Sequence, residues 1–315
     1  MRAGTGRVSG GEALGTVCFI RRDTPRAGRD KGGAMSGERS VAVVTGASSG
    51  IGAALAERLA RDGRDLVIVA RRKERLEALA RRLEAETGVD VEVMVVDLTV
   101  PEELQMVEDR IAAEPRLDLV VNNAGFGVYG PFAELSTSFT DDLIRLHCRA
   151  PVRLAHAAIP GMITRGRGAI VNVASLLALS GPLHSRMSGK ATYAATKSFL
   201  LTFTQALSVE LEGTGVHAMA VLPGMVETEF FNVKRGVDPS PLTMMSPADV
   251  AQAIVVGLEL KEVICVPGLE ITTLFEALRD IQKSTLFGGT SGKLAERYRR
   301  EAAAGPAPDE AEPST

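Results

Sequence analysis

The stretch Val41-Ala42-Val43-Val44-Thr45-Gly46-Ala47-Ser48-Ser49-Gly50-Ile51-Gly52 decides how the rest of the chain is read. Together with Ser40, its first half is a continuous run of strand length, and such apolar runs mark strands covered on both faces. Its second half is a glycine-rich turn, after which an Ala/Leu helix runs to about Asp62. Strand, glycine turn and helix in this order, at the start of a βαβ unit, form the setting in which such a turn binds a dinucleotide. Glycines permit unusual backbone angles and close approach of a pyrophosphate. The helix N-terminus adds free N–H groups and a partial positive charge. Gly46, Ser48, Ser49, Gly50, Ile51 and Gly52 are therefore candidate cofactor contacts. The competing reading is a tight turn that holds no ligand.

The alternation continues downstream. Leu66–Ala70, Val91–Val96, Leu117–Val121, Ala169–Val173, Val216–Leu222 and Val263–Val266 read as strands. Helices are expected over about Lys73–Thr87, Glu102–Ala113, Ser138–Thr164, Thr192–Glu212 and Ala248–Leu260. Pro101 and Pro247 stand at helix starts, where a missing N–H costs nothing, and Ser246 is a good N-cap. Apolar rather than alternating strands require helices on both faces, so the fold class is α/β: a single Rossmann-like, doubly wound parallel sheet. The catalytic domain is expected over 39–268, with a helical segment at 269–304 packing on it. The flanks, 1–38 and 305–315, are expected to be disordered. The first is Gly/Arg-rich with one short apolar stretch at Val17–Ile20, and Met35 reads as an alternative start. The second carries Pro306, Pro308 and Pro313.

Charge and composition exclude several classes. With 36 basic and 39 acidic side chains the net charge is −3, so there is no bulk electrostatic case for nucleic acid. Cys18, Cys148 and Cys265 are far apart, and the four histidines lack metal-ligand spacing, so no metal is expected. No apolar run approaches 18 residues, so no membrane span is expected, and the Val17–Ile20 stretch is too short for a signal-peptide core. A cytoplasmic location is the expectation.

The second strand ends Val69-Ala70-Arg71-Arg72. A site for NAD places an acid there for the ribose 2′-hydroxyl, whereas arginine suits a 2′-phosphate. Two guanidiniums and no acid favour NADP(H), with one of the pair expected to be only the solvated start of a charged helix.

At this point the chain resembles the single-domain branch of the short-chain dehydrogenase/reductase family. Further signatures match in order: Asp97-Leu98, Asn122-Asn123-Ala124-Gly125, Tyr193-Ala194-Ala195-Thr196-Lys197 and Pro223-Gly224. The resemblance implies that Asp97 and Leu98 border the adenine and that Asn123, Ala124 and Gly125 lie beside the cofactor. It also places Thr228 near the nicotinamide amide and makes Pro223 and Gly224 cofactor contacts. A homodimer or homotetramer through the two long helices is implied as well.

Tyr193 and Lys197 are four residues apart on a predicted helix, so they share a face. An ammonium one turn from a phenol favours the phenolate, which suits proton exchange during carbonyl/alcohol interconversion. The resemblance agrees, making Tyr193 the general acid/base and Lys197 its helper and a ribose ligand. Ser175, in Asn172-Val173-Ala174-Ser175, matches the family's catalytic serine as a donor to the substrate oxygen. It lies 18 residues before Tyr193, several more than usual; Ser180, at 13, is the rival on spacing but lies past the strand end. His147 stands where the family often has an asparagine that holds a relay water. It reads either as a relay or as a packed helix residue.

Phe126–Phe132 and Met225–Met245, with Tyr129, Phe230, Phe231, Met244 and Met245, are expected either to wall an apolar substrate pocket or to pack on C-terminal helices at Leu274–Leu286. The leading function is an NADPH-dependent oxidoreductase acting on a small-molecule carbonyl or secondary alcohol. The alternative is a cofactor-binding regulator or scaffold, with sugar-nucleotide epimerisation a weaker third.

Overall fold

The computed structural model describes residues 38–127, 130–181, 190–229, 244–271, 273–290 and 292–298. The expectations for 1–37, Tyr129, the loop at 182–189, Phe230, Phe231 and the tail at 305–315 lie outside the described residues.

Seven parallel strands form one sheet in the order β3-β2-β1-β4-β5-β6-β7. They are β1 (Val41–Thr45), β2 (Asp65–Ala70), β3 (Val91–Val95), β4 (Leu117–Asn122), β5 (Gly168–Val173), β6 (Val216–Val221) and β7 (Ile264–Cys265). Strand β7 is shorter than the apolar run predicts, because only Ala220 and Val221 of β6 pair with it. The order reverses between β1 and β4, which opens a crevice at the carboxyl ends of the strands.

Side-chain alternation splits the core into two layers. Ala42 and Val44 of β1, Leu66 and Ile68 of β2 and Val121 of β4 face α1 (Gly50–Arg61), α2 (Lys73–Thr87) and α7 (Pro247–Glu259). Val41, Val43, Val67, Val69 and Val120 face α3 (Pro101–Ala112), α5 (Ala150–Arg165) and α6 (Ala191–Glu210). Because both faces of β1 and β2 are buried, their sequences read as unbroken apolar runs.

The expected long helix at Ser138–Thr164 is interrupted. It comprises α4 (Thr137–Ile144), a π-helical turn at Arg145–Arg149, and α5. The cause is Pro151, which has no N–H for the carbonyl of His147 and whose ring crowds that carbonyl; a widened turn relieves both. The last helix, α8 (Thr273–Gly289), reaches the body through Phe275, which packs against a small cluster including Leu200 and Leu222. Leu274, Ile281, Leu286 and Phe287 of α8 are exposed.

A polar chain crosses the buried sheet. Asn122 Nδ2 donates to Asn172 Oδ1 at 2.8 Å, Asn172 Nδ2 to Thr204 Oγ1 at 2.8 Å, and Thr204 Oγ1 to Leu200 O at 2.6 Å. These bonds fix β4, β5 and α6 in register beneath the crevice. Asn172→Ala removes the acceptor at 2.8 Å from Asn122 Nδ2, leaving it only Pro151 O at 3.5 Å, and the donor to Thr204 Oγ1, which keeps its bond to Leu200 O. It is expected to cost about 2–4 kcal/mol, roughly the penalty for unpaired buried polar groups with a small cavity added. Urea unfolding checks this as a lower midpoint at unchanged slope.

Candidate active site

The crevice is a cavity of about 680 Å³ lined from the carboxyl ends of β1 to β6. Of the site residues expected above, all but Gly52 and His147 line it, and Ser180 does not.

At one end sits the glycine turn. Gly46 and Gly50 adopt φ of +70° and +58°, the left-handed region that glycine occupies without strain. Gly52 serves packing instead, since a Cβ there would lie 2.5 Å from the Asn123 amide nitrogen and from Gly46 O. The turn is anchored from behind. Thr45 Oγ1 donates to Val121 O at 3.1 Å and accepts from the N–H groups of Asn123 at 2.9 Å and Ala124 at 3.0 Å. Asn123 Nδ2 returns a bond to Thr45 O at 2.9 Å. The turn, the helix start behind it and the Ser48 and Ser49 hydroxyls fit a dinucleotide's phosphates.

Arg71 and Arg72 diverge at the end of β2. Arg71 Nη1 pairs with Asp97 Oδ2 at 3.3 Å. Partial burial pushes the Asp97 carboxyl upward, but bonds from the Thr99 amide and hydroxyl and from Arg71 outweigh it and leave the acid below its ordinary range. Arg72 reaches the turn, its Nη2 donating to Ser48 Oγ at 2.8 Å and Ser49 Oγ at 2.5 Å. Its Nη1 meets Glu229 at 2.7 Å, and Arg75 Nη1 meets both oxygens of the same carboxylate at 2.7 Å. Glu229 lines the cavity mouth, and neither it nor Arg75 was expected from the sequence. Arg75 lies one helical turn beyond Arg72, a spacing that could have flagged it; Glu229 carries no such signal.

The other end gathers the catalytic candidates. Tyr193 and Lys197 are buried on one face of α6, with Lys197 Nζ 5.7 Å from the Tyr193 ring centroid. That ammonium donates to Val173 O at 2.8 Å, and burial lowers its pKa to about 8. Ser175, at the end of β5, caps the 3-10 turn Leu176–Leu179 by accepting from Leu177 N at 3.1 Å, an arrangement that engages its lone pairs and not its proton. Ser180 spends its proton on Leu177 O at 2.8 Å.

His147, in the π-helical turn, is 1% exposed. Its Nε2 accepts from Phe126 N at 3.3 Å, so the proton sits on Nδ1, which donates to Thr196 Oγ1 at 3.0 Å. Thr196 then donates to Tyr193 O at 2.9 Å. Burial, reinforced by the Lys197 charge, holds the imidazole well below its ordinary pKa and therefore neutral. Both ring nitrogens are engaged by the protein.

Of the expected pocket walls, Phe126 and Met225 line the cavity, and Phe126 also packs edge-on to Phe139 at 4.9 Å. Met245 packs against the core, and its N–H donates to Met225 O.

A short chain dehydrogenase family model matches residues 40–236. An uncharacterised oxidoreductase of Staphylococcus saprophyticus is 32% identical over 70% of this chain and 91% of its own length. Among solved structures, a short-chain dehydrogenase from Sphingobium yanoikuyae in complex with NADPH superposes with a TM-score of 0.77. It is 37% identical, covering 82% of this chain and 100% of that one. A bulky-bulky ketone specific alcohol dehydrogenase from Comamonas testosteroni gives 0.74 at 35% identity, covering 82% of this chain and 98% of its own.

Removing the His147 ring breaks the line from Phe126 through Thr196 to Tyr193. His147→Ala is expected to lower stability by about 2–4 kcal/mol. It also lowers turnover while leaving the shape of the pH–rate profile intact, because no titrating group is lost. Thermal melts and a pH series on the variant check both parts.

Proposed function

The chain belongs to the short-chain dehydrogenase family, and from that premise we propose an NADPH-dependent reductase/dehydrogenase that interconverts a carbonyl and a secondary alcohol on a hydrophobic substrate. The observation that carries this reading is the meeting of Tyr193 and Lys197 in the same cavity as the glycine turn and the arginines that end β2. When bound, the nicotinamide supplies or takes the hydride. Tyr193 gives its hydroxyl proton to the oxygen that becomes the alcohol and recovers it in the reverse direction. Lys197, charged and screened from water, favours the phenolate that remains. Ser175 donates to the substrate oxygen with the proton its cap leaves unused, whereas the Ser180 proton is already bonded.

Cofactor choice follows from the end of β2 and the first turn of α2, where Arg72 lines the cavity and Arg75 meets the same Glu229 carboxylate. The NADPH complex of the Sphingobium relative supports the same choice. Phe126, Leu146, Leu176, Leu177 and Met225 give the substrate end an apolar wall. A regulator without turnover would leave a buried Tyr193 and Lys197 pair with no task, and nothing in the site favours it.

A ketone and alcohol panel with NADPH and NADH tests the reading. NADPH is expected to be preferred at least about tenfold. Tyr193→Phe should lower kcat by about 10³-fold or more, with cofactor affinity retained. Ser175→Ala should cost about 10²-fold and Ser180→Ala far less. Near-normal turnover in Tyr193→Phe would overturn the mechanism.

The pH dependence has a defined sign. With a pKa of about 8, Lys197 is charged below that pH and neutral above it. For reduction, kcat/KM with respect to cofactor reports the free enzyme, so it should fall as pH rises through about 8. In Lys197→Met that fall should vanish from an already low activity.

A further inference from the structure

The ion pairs at the mouth of the cavity involve three arginines and two acids. Arg71 is engaged by Asp97, and Asp97 is held in turn by Thr99, so that pair is fixed to the β3 end of the site. Arg72 and Arg75 are different, because both close on Glu229, more than 150 residues away in the chain. Arg75 contacts both carboxylate oxygens, while Arg72 contacts one and simultaneously holds the Ser48 and Ser49 hydroxyls. Two guanidiniums converging on one anion, one of them also bonded to the Ser48 and Ser49 hydroxyls, is a donor set that a phosphate monoester also takes.

We propose that Glu229 is a placeholder for the ribose 2′-phosphate: its carboxylate occupies Arg72 and Arg75 in the cofactor-free protein and yields them when NADPH binds. The inference rests on the NADPH reading above and adds the residue that competes with the cofactor. A carboxylate and a phosphate dianion cannot share the same two guanidiniums without strong like-charge repulsion. Protonation offers Glu229 no escape, since Arg75 and Arg72 hold its carboxyl below the ordinary range. The exchange is affordable because all three side chains are exposed, so the released carboxylate finds water at once. Every NADPH that binds must displace this acid, whereas NADH, with no 2′-phosphate, leaves it in place. Glu229 therefore holds down the selectivity that Arg72 and Arg75 would otherwise give.

Titration of the wild type and Glu229→Gln with NADPH and NADH, read by nicotinamide fluorescence, tests this without turnover. In Glu229→Gln the Kd for NADPH should fall by about tenfold while that for NADH changes by less than about twofold. If the wild type prefers NADPH but the substitution leaves NADPH binding unchanged, or weakens it, the placeholder is overturned alone. A weakening would make Glu229 a support for the arginines. If the wild type prefers NADH, the cofactor reading falls and the placeholder with it.

Discussion

A single buried charge organises the catalytic end of this protein. Lys197 is 5% exposed, and its ammonium has Val173 O as a 2.8 Å acceptor. Burying an ammonium is costly unless it is bonded, so the fold must bring the end of β5 and the first turns of α6 to one fixed separation. That separation places Ser175, two residues beyond Val173, and Tyr193, one turn before Lys197, on the same cavity. The charge also sets the titration behaviour around it. It helps keep His147 neutral, and it pulls against the burial that raises Cys148 to about 11. With the His147 imidazole neutral, that residue adds no second cation beside the phenol.

The neutral imidazole gives the π-helical turn its purpose. Pro151 forces the helix to widen, and the widened turn carries His147 inward, where it ties the Gly125–Phe126 loop after β4 to the start of α6. A Cβ on Gly125 would come 2.8 Å from His147 Nε2, so the glycine is required by the histidine as much as by any ligand. The same economy holds at the other end, where Gly52 makes room for the Asn123 amide. Part of the glycine pattern that marks a dinucleotide turn thus reflects how the turn is anchored to its neighbouring strand.

These particulars explain which features were legible in sequence. The central strands could be read because burial on both faces writes itself as continuous apolar runs, and α2 was placed at its observed limits. The turn, the Tyr193–Lys197 pair and Ser175 could be read because each depends on spacing within one element or on the end of one strand. The break at Arg145–Arg149 was written in Pro151, but its consequence depended on a helix already being in place. Glu229 with Arg72 and Arg75, and His147 with Thr196, join residues whose proximity is created by strand order, and no local pattern encodes that.

The two ends of the cavity are built on opposite principles, and the difference fits the function proposed above. At the catalytic end the polar groups are buried and bonded to backbone: Lys197 to Val173 O, Thr196 to Tyr193 O, and His147 to Phe126 N. Such bonds are expensive to break, because a stranded buried group loses its partner and gains no water. At the glycine-turn end Arg72, Arg75 and Glu229 are exposed, and their bonds can be exchanged for solvent or for another anion at little cost. A reaction that needs its proton donor fixed to within a fraction of an ångström requires the first kind of construction. A cofactor that must arrive and leave with each turnover requires the second. The glycine turn, held rigid through Thr45 and Asn123 yet open towards Arg72, is the element that joins them.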